Sequence, residues 1–501
     1  MSERVLQWAI RFVPPALQSL AVQSATHQLL SFILMVAGVM AVVLTVRPEF
    51  LQRASDGQYF SLVGLILVVG TLASFVAAFL RQFETTVVSS VRHLYLLSAV
   101  VIGTFVIAWV MNSLHLNPYL NPLVACGVLL TVFVNVRVAL IISLPGGLLL
   151  SLFPGHGSLD TLVALLGAAI AIYTVSRVRQ RYDLFRGGLF ASLISAWVVM
   201  GLSLMNGLPW ETWSVQAGSA LLSGLGSSIL VVGVLPVLED IFGITTTFKL
   251  LELASPSQPL LRELQFKAPG TYHHSILVGN LAEAAAEAIG ADALLVRVGS
   301  YYHDIGKTKR PSFFIENQLG MANQHDRISP RLSALVITAH VKEGLEMARE
   351  HKLPAIIQDF ITTHHGTSLV SYFYHQAVQS EGPKQVQEEH FRYPGPRPRT
   401  RETGIVMLAD GVEASCRTLK VPTPDQIESM VRKIIDKRLA DGELSEAPLT
   451  LQEIEKIQMA FVRVLSGLFH QRIEYPEQIF KELRAGTDSE SKGKKVGHSS
   501  K

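Results

Sequence analysis

The sequence predicts an all-α protein in two parts, a multi-span transmembrane helical bundle followed by an all-helical cytoplasmic domain. Three observations predict it. Mean hydropathy is +0.34 and only 17% of the 501 residues are charged, too apolar for a water-soluble chain of this size. The apolar runs crowd into residues 28 to about 240 and stop there. From 241 onward apolar residues recur at helical spacing, with no β-ribbon alternation.

The membrane half divides by length, since a span needs roughly 20 apolar residues. Residues 28–46, 60–80, 94–112, 160–176, 188–206 and 215–239 each read as one span. The run 119–153 is too long for one helix; it carries Arg137 near its centre and 145-PGG-147 in its second half. A lone Arg at mid-bilayer is costly, so the run divides into 119–135 and 138–153, with Arg137 in a tight surface turn. That makes eight spans. Arg4, Arg11, Arg81, Arg92, Arg137, Arg177, Arg179, Arg181 and Arg186 then share one side with both termini, and only Arg47 and Arg53 lie opposite. By the positive-inside rule this places both termini in the cytoplasm of a multi-pass inner-membrane protein. Trp210 and Trp213 fit the outer aromatic belt. No acid or Lys inside a span marks an ion pathway. Ser219, Ser223 and Ser227, beside Gly218 and Gly226, make a small-residue stripe. Packing within the bundle is its first reading, with a homodimer seam left open.

Net charge, +3, gives no argument for a nucleic-acid polymer, and none is expected as partner. The two cysteines, Cys126 and Cys416, fall one in each half, which excludes a disulfide framework and a thiolate-rich metal site. No A-x-A site follows the first apolar run, so no cleaved leader is expected.

Residues 241–272 read as a connector, broken at 255-SPSQP-259 and 269-PG-270. Helices are expected over 276–288, 292–303, 330–350, 354–364, 403–417, 424–439 and 450–471. Thr423–Pro424 and the Thr450…Glu453 pair mark two helix starts. Residues 391–400 form a Pro-rich basic loop, and the Ser/Lys/Gly-rich tail 485–501 is expected to be disordered. The domain therefore runs from 273 to 484.

Histidine is the informative residue here. His274, the pair His303–Asp304, His340 and the pair His364–His365 sit on separate expected helices, and Asp410 follows an apolar face on another. Imidazole with carboxylate and no thiolate suits Zn, Fe or Mn, and in a helical domain such ligands converge from different helices. His351, His375, His390 and His470 read as ordinary surface or core histidines.

The motifs 269-PGTYHHS-275, 299-GSYYHDIGK-307, 313-FFIENQ-318, 364-HHGT-367, 391-FRYPGP-396 and 407-MLADGVEA-414 resemble the HD-domain metal-dependent phosphohydrolases. More narrowly, they resemble the bacterial seven-transmembrane HD family, whose characterised members are PgpH-type cyclic di-AMP phosphodiesterases. The resemblance implies two divalent ions, iron or manganese, while ligand chemistry leaves zinc open. It implies that His274, His303, Asp304 and Asp410 hold one ion, and that Asp304 bridges to a second held by His340, His364 and His365. Asp304 is then catalytic, and Lys307 reaches a phosphate or the leaving 3′-oxygen. The implied reaction is hydrolysis of cyclic di-AMP to linear 5′-pApA, which lowers the level of a second messenger. Residues 47–59 stand where family members carry a large extracellular domain, so that domain is expected to be missing. Two alternatives remain at this stage: a membrane receptor whose domain binds nucleotide without cleaving it, and a hydrolase of another phosphoester such as cyclic di-GMP.

Overall fold

The computed structural model describes residues 15–176, 180–318, 320, 322–419 and 422–468. Arg4, Arg11, Arg177, Arg179, His470 and the tail 485–501 lie outside the described residues. The described chain is all-α, with no strand and a single isolated bridge between Leu369 and Arg392. It forms two compact units, 1–255 and 256–501.

The first unit opens with α1 (Pro15–Val46), α2 (Glu49–Ser55), α3 (Phe60–Phe83), α4 (Thr85–Ser89) and α5 (Val91–Ser113). It continues with α6 (Leu123–Phe133), α7 (Val136–Leu150), α8 (Ser158–Val175), α9 (Arg181–Met205), α10 (Trp210–Phe242) and α11 (Thr247–Leu253). Six of these helices are long and apolar enough to cross a membrane. Helices α6 and α7, of 11 and 15 residues, fall short of the length a span needs, so the eight expected spans become six long helices and two shorter ones. The run 119–153 does divide, at Val134–Asn135. The Asn135 side chain caps α7 by accepting from Val138 N and donates to buried Glu84. Arg137 follows in the first turn of α7, exposed. The segment 47–59 is not a plain loop, because α2 occupies most of it.

Small residues set the packing of α9 on α10. A Cβ at Gly188 would stand 2.6 Å from Gly224 O. Ser228 donates to Leu184 O, and Ser223 donates to Asn121 O while accepting from Asn121 N. The serine stripe therefore packs within this chain at Ser223, as its first reading has it. Two buried acids stand at the edges of expected spans: Asp160 accepts from Gly157 N, and Glu239 accepts from Thr246, the N-cap of α11.

The second unit contains α12 (Pro259–Lys267), α13 (Pro269–Ile289), α14 (Ala293–Tyr302), α15 (Pro330–Glu350), α16 (Ala355–Thr363), α17 (Ser371–Glu381), α18 (Arg401–Cys416), α19 (Pro424–Ala440) and α20 (Leu451–Leu468). Short 3₁₀ turns occupy 305–327 between α14 and α15. The dipeptide 269-PG-270 begins α13 rather than breaking the chain, because Pro at the first helical position gives up no hydrogen bond. Thr423 with Gln426 and Thr450 with Glu453 form reciprocal capping boxes. Helix α18 is the centre of the unit. Its residues 403–410 are all buried, and α13, α14, α16 and α19 pack around it.

Candidate metal centre

Each expected ligand has a fixed place on this framework. His274 lies one turn into α13, and Asp410 lies on the buried face of α18. His303 caps the C-terminus of α14 and Asp304 follows where the chain tightens into a 3₁₀ turn. His340 is midway along α15, and His364 caps the C-terminus of α16 with His365 next to it. All seven side chains converge. Asp304 Oδ2 lies 3.3 Å from His303 Nε2 and 3.6 Å from His274 Nε2. Asp304 Oδ1 lies 3.3 Å from His340 Nε2 and 3.6 Å from His364 Nε2. Asp410 completes the cluster, 3.1 Å from His274 Nε2 and 3.5 Å from His365 Nδ1. Two groups of donor atoms, each within 4.8 Å, share Asp304: His274 and His303 on one side, His340, His364 and His365 on the other.

Proton positions test whether a cation fits. A backbone carbonyl only accepts, so a ring nitrogen bonded to one carries the proton. His303 Nδ1 donates to Ser300 O at 2.6 Å, His340 Nδ1 to Ile337 O at 2.6 Å, and His364 Nδ1 to Ile361 O at 2.9 Å. In the neutral tautomer this fixes, all three turn an Nε2 lone pair inward. His340 and His364 present theirs to each other across 3.2 Å, and His303 Nε2 is buried without a hydrogen-bond partner. Facing lone pairs in that tautomer suit a shared cation. Burial holds His364 down to about 4, in the neutral form a ligand requires. His274 behaves otherwise. Burial alone would lower it, but hydrogen bonds to Asp410 and Glu413 outweigh burial and raise it to about 10. In the metal-free cluster a proton on His274 thus offsets part of the carboxylate charge. The cluster is able to hold a divalent metal.

Lys307 sits at the inner wall with Nζ 2.7 Å from Asp304 Oδ2 and 3.0 Å from Glu316 Oε1. Burial opposes its charge, and the two carboxylates overcome that and raise it well above the ordinary lysine range. A cleft of about 680 Å³ opens beside the cluster, within the range of small-molecule sites. Phe314, Ile337, Leu369, Val370 and Tyr393 line one part of it, and Arg417, Lys437 and Arg438 another.

Four residues here escaped sequence reasoning. Glu413, one turn after Asp410, stands 2.5 Å from His274 Nδ1; helical periodicity within 407-MLADGVEA-414 was the available signal. Glu316 pairs with Lys307 inside the quoted 313-FFIENQ-318. Tyr393 brings the Pro-rich loop to the cluster by stacking on His365, centroids 4.2 Å apart. Glu443 is fully buried behind 366-GT-367, and nothing local in the sequence marked it. His273, His351, His375 and His390 are exposed and outside the cluster.

Comparison with known proteins follows the same division. Residues 59–246 match the family described as 7TM receptor with intracellular HD hydrolase, and residues 271–415 match the HD domain. Over 429 residues the chain is 38% identical to the Cyclic-di-AMP phosphodiesterase PgpH of Bacillus subtilis (strain 168), covering 83% of this chain and 60% of that protein. Over 319 residues it is 43% identical to the protein of the same name from Listeria monocytogenes serotype 1/2a (strain 10403S), covering 63% and 44%. The chain thus spans 60% or less of the length of these two relatives. The crystal structure of the Listeria PgpH HD domain in complex with cyclic di-AMP is 46% identical, covering 43% of this chain and 99% of that one, with a TM-score of 0.42. Residues 59–246 hold seven apolar helices, α3 and α5–α10, five of them of spanning length. The chain is a multi-pass membrane protein whose residues 59–246 match the membrane region of the 7TM receptors with intracellular HD hydrolase and whose residues 271–415 match an HD domain.

Proposed function

We propose that this chain is a membrane-anchored, metal-dependent phosphodiesterase that hydrolyses cyclic di-AMP to linear 5′-pApA. The observation that carries the reading is the convergence of imidazole nitrogens on both oxygens of Asp304, with His340 Nε2 and His364 Nε2 3.2 Å apart. The relatives at 38% and 43% identity, both cyclic di-AMP phosphodiesterases by name, support the substrate.

His274, His303, Asp304 and Asp410 would hold one ion, and His340, His364 and His365, together with Asp304, would hold a second. The resemblance to the HD phosphohydrolases suggests iron or manganese, and ligand chemistry leaves zinc open. When bound, the ions supply Lewis-acid polarisation of the phosphodiester and an acidified water at neutral pH. The protein's own groups supply the rest. Lys307, kept charged by Asp304 and Glu316, faces the developing charge on phosphate or the leaving 3′-oxygen. Arg417, Lys437 and Arg438 meet the remaining anionic backbone, and the wall of Phe314, Leu369 and Tyr393 meets a base. The catalytic unit lies on the cytoplasmic side of the bacterial inner membrane, as do both termini, and the first unit holds it at the bilayer.

The test uses the full chain in lipid nanodiscs, loaded with Mn²⁺ or Fe²⁺. Cyclic di-AMP should be converted to pApA. Faster turnover of cyclic di-GMP overturns the substrate assignment, and binding of cyclic di-AMP without turnover makes the protein a receptor.

A further inference from the structure

Two carboxylates stand behind the ligands, Glu413 and Glu443, on different sides of the cluster. Glu413 brackets the His274 ring from behind. Asp410 Oδ1 meets Nε2 at 3.1 Å while Glu413 Oε2 meets Nδ1 at 2.5 Å, one helical turn further along α18. Glu413 is itself held by the guanidinium of Arg417. A ligating imidazole whose second nitrogen donates to a carboxylate is fixed in tautomer and orientation, and its ligand nitrogen becomes more basic.

Glu443 works on the other side, through backbone. It is fully buried. Its Oε2 accepts from Thr367 N at 2.8 Å and its Oε1 from Thr367 Oγ1 at 2.7 Å. Gly366 turns at φ +53°, and a Cβ there would stand 2.2 Å from Glu443 Oε2, so only glycine lets the turn sit on the carboxylate. Arg397 Nε donates to Thr367 Oγ1 at 3.2 Å and Arg392 to Thr367 O at 2.9 Å. The residue immediately before this turn is His365. Unlike His303, His340 and His364, its ring makes no hydrogen bond to a backbone carbonyl among the described residues. Its direction therefore depends on the turn behind it, on the Tyr393 ring and on Asp410 Oδ2, 3.5 Å from its Nδ1.

We propose that Glu413 and Glu443 are positioning residues, one for each half of the metal centre: Glu413 sets the ion held through His274, and Glu443, through Thr367, sets the ion held through His365. The inference rests on the two-ion reading above.

The test is metal binding to the full chain, read as stoichiometry and affinity, with no dependence on turnover. Wild-type protein should hold two equivalents of Mn²⁺; a single equivalent overturns the two-ion reading itself. His340→Ala leaves only the His274 half, and His274→Ala leaves only the His365 half. In the His340→Ala background, Glu413→Gln should weaken the remaining ion about 10- to 100-fold and Thr367→Val should leave it unchanged. In the His274→Ala background the pattern should invert, with Thr367→Ser restoring what Thr367→Val loses. Glu443→Gln should follow Thr367→Val. Weakening of both ions by either variant, or of neither, overturns the proposal, because a purely structural role has no reason to choose one half.

Discussion

Asp304→Asn is the substitution that most directly tests the bridge. Both carboxylate oxygens are engaged, Oδ2 toward His303 and His274 and Oδ1 toward His340 and His364, at 3.3 to 3.6 Å. Asn keeps the shape but carries no charge, and one of its two positions becomes a donor that repels a cation. Two unit charges about 4 Å apart, at an effective dielectric of about 20, interact by about 4 kcal/mol, which is about a thousandfold in affinity. Bound cations come closer than this and are divalent, so a thousandfold loss at each half is the least expected. Lys307 also loses a partner at 2.7 Å and keeps only Glu316, so the metal-free variant should also be less stable. The assay is metal content after dialysis, paired with thermal unfolding with and without Mn²⁺. Wild-type protein should gain stability from the metal and the variant should gain almost none. A variant that retains both ions and wild-type turnover would refute a bridging role for Asp304.

Three further outcomes follow from the same geometry. Lys307→Met should lower turnover of cyclic di-AMP by about a hundredfold, the usual scale for removing one preorganised charge stabiliser, with metal content preserved; unchanged turnover would show that Lys307 serves only to balance Asp304 and Glu316. His274 is raised from 6.5 to about 10 in the metal-free state. Its contribution to stability is therefore fully present below about 6.5 and fades as pH climbs toward about 10. Metal must displace that proton, so Mn²⁺ affinity should rise across the same interval, and calorimetry in buffers of different ionisation enthalpy should record proton release; affinity independent of pH would contradict this assignment. In cells, a reporter fused after Gly157 should read as external and one fused after Asp183 as cytoplasmic, and the reverse result would invert the proposed orientation.

Much of the molecule was legible in the chain because the relevant forces act locally. The switch from continuous apolar runs to 3.6-residue periodicity near 241 reports two solvents, lipid and water, and the helices follow from it. The capping boxes at Thr423 and Thr450 were legible for the same reason, since their partners lie three residues away. The division of 119–153 was forced by the cost of burying Arg137, although the resulting helices α6 and α7 are shorter than expected. Short 3₁₀ turns and α17 went unseen, because their hydrogen bonds and packing leave no long period to read.

The sequence by itself determined the inventory: His274, His303, Asp304, His340, His364, His365 and Asp410, in a chain whose two cysteines fall one in each half, placed after a run of membrane helices. Tertiary structure decided what stands behind those groups. Glu443 reaches Thr367 across 76 residues and Glu413 reaches His274 across 139. A buried acid is affordable only where such a remote donor has been folded against it, and that pairing depends on how helices cross rather than on any neighbour along the chain.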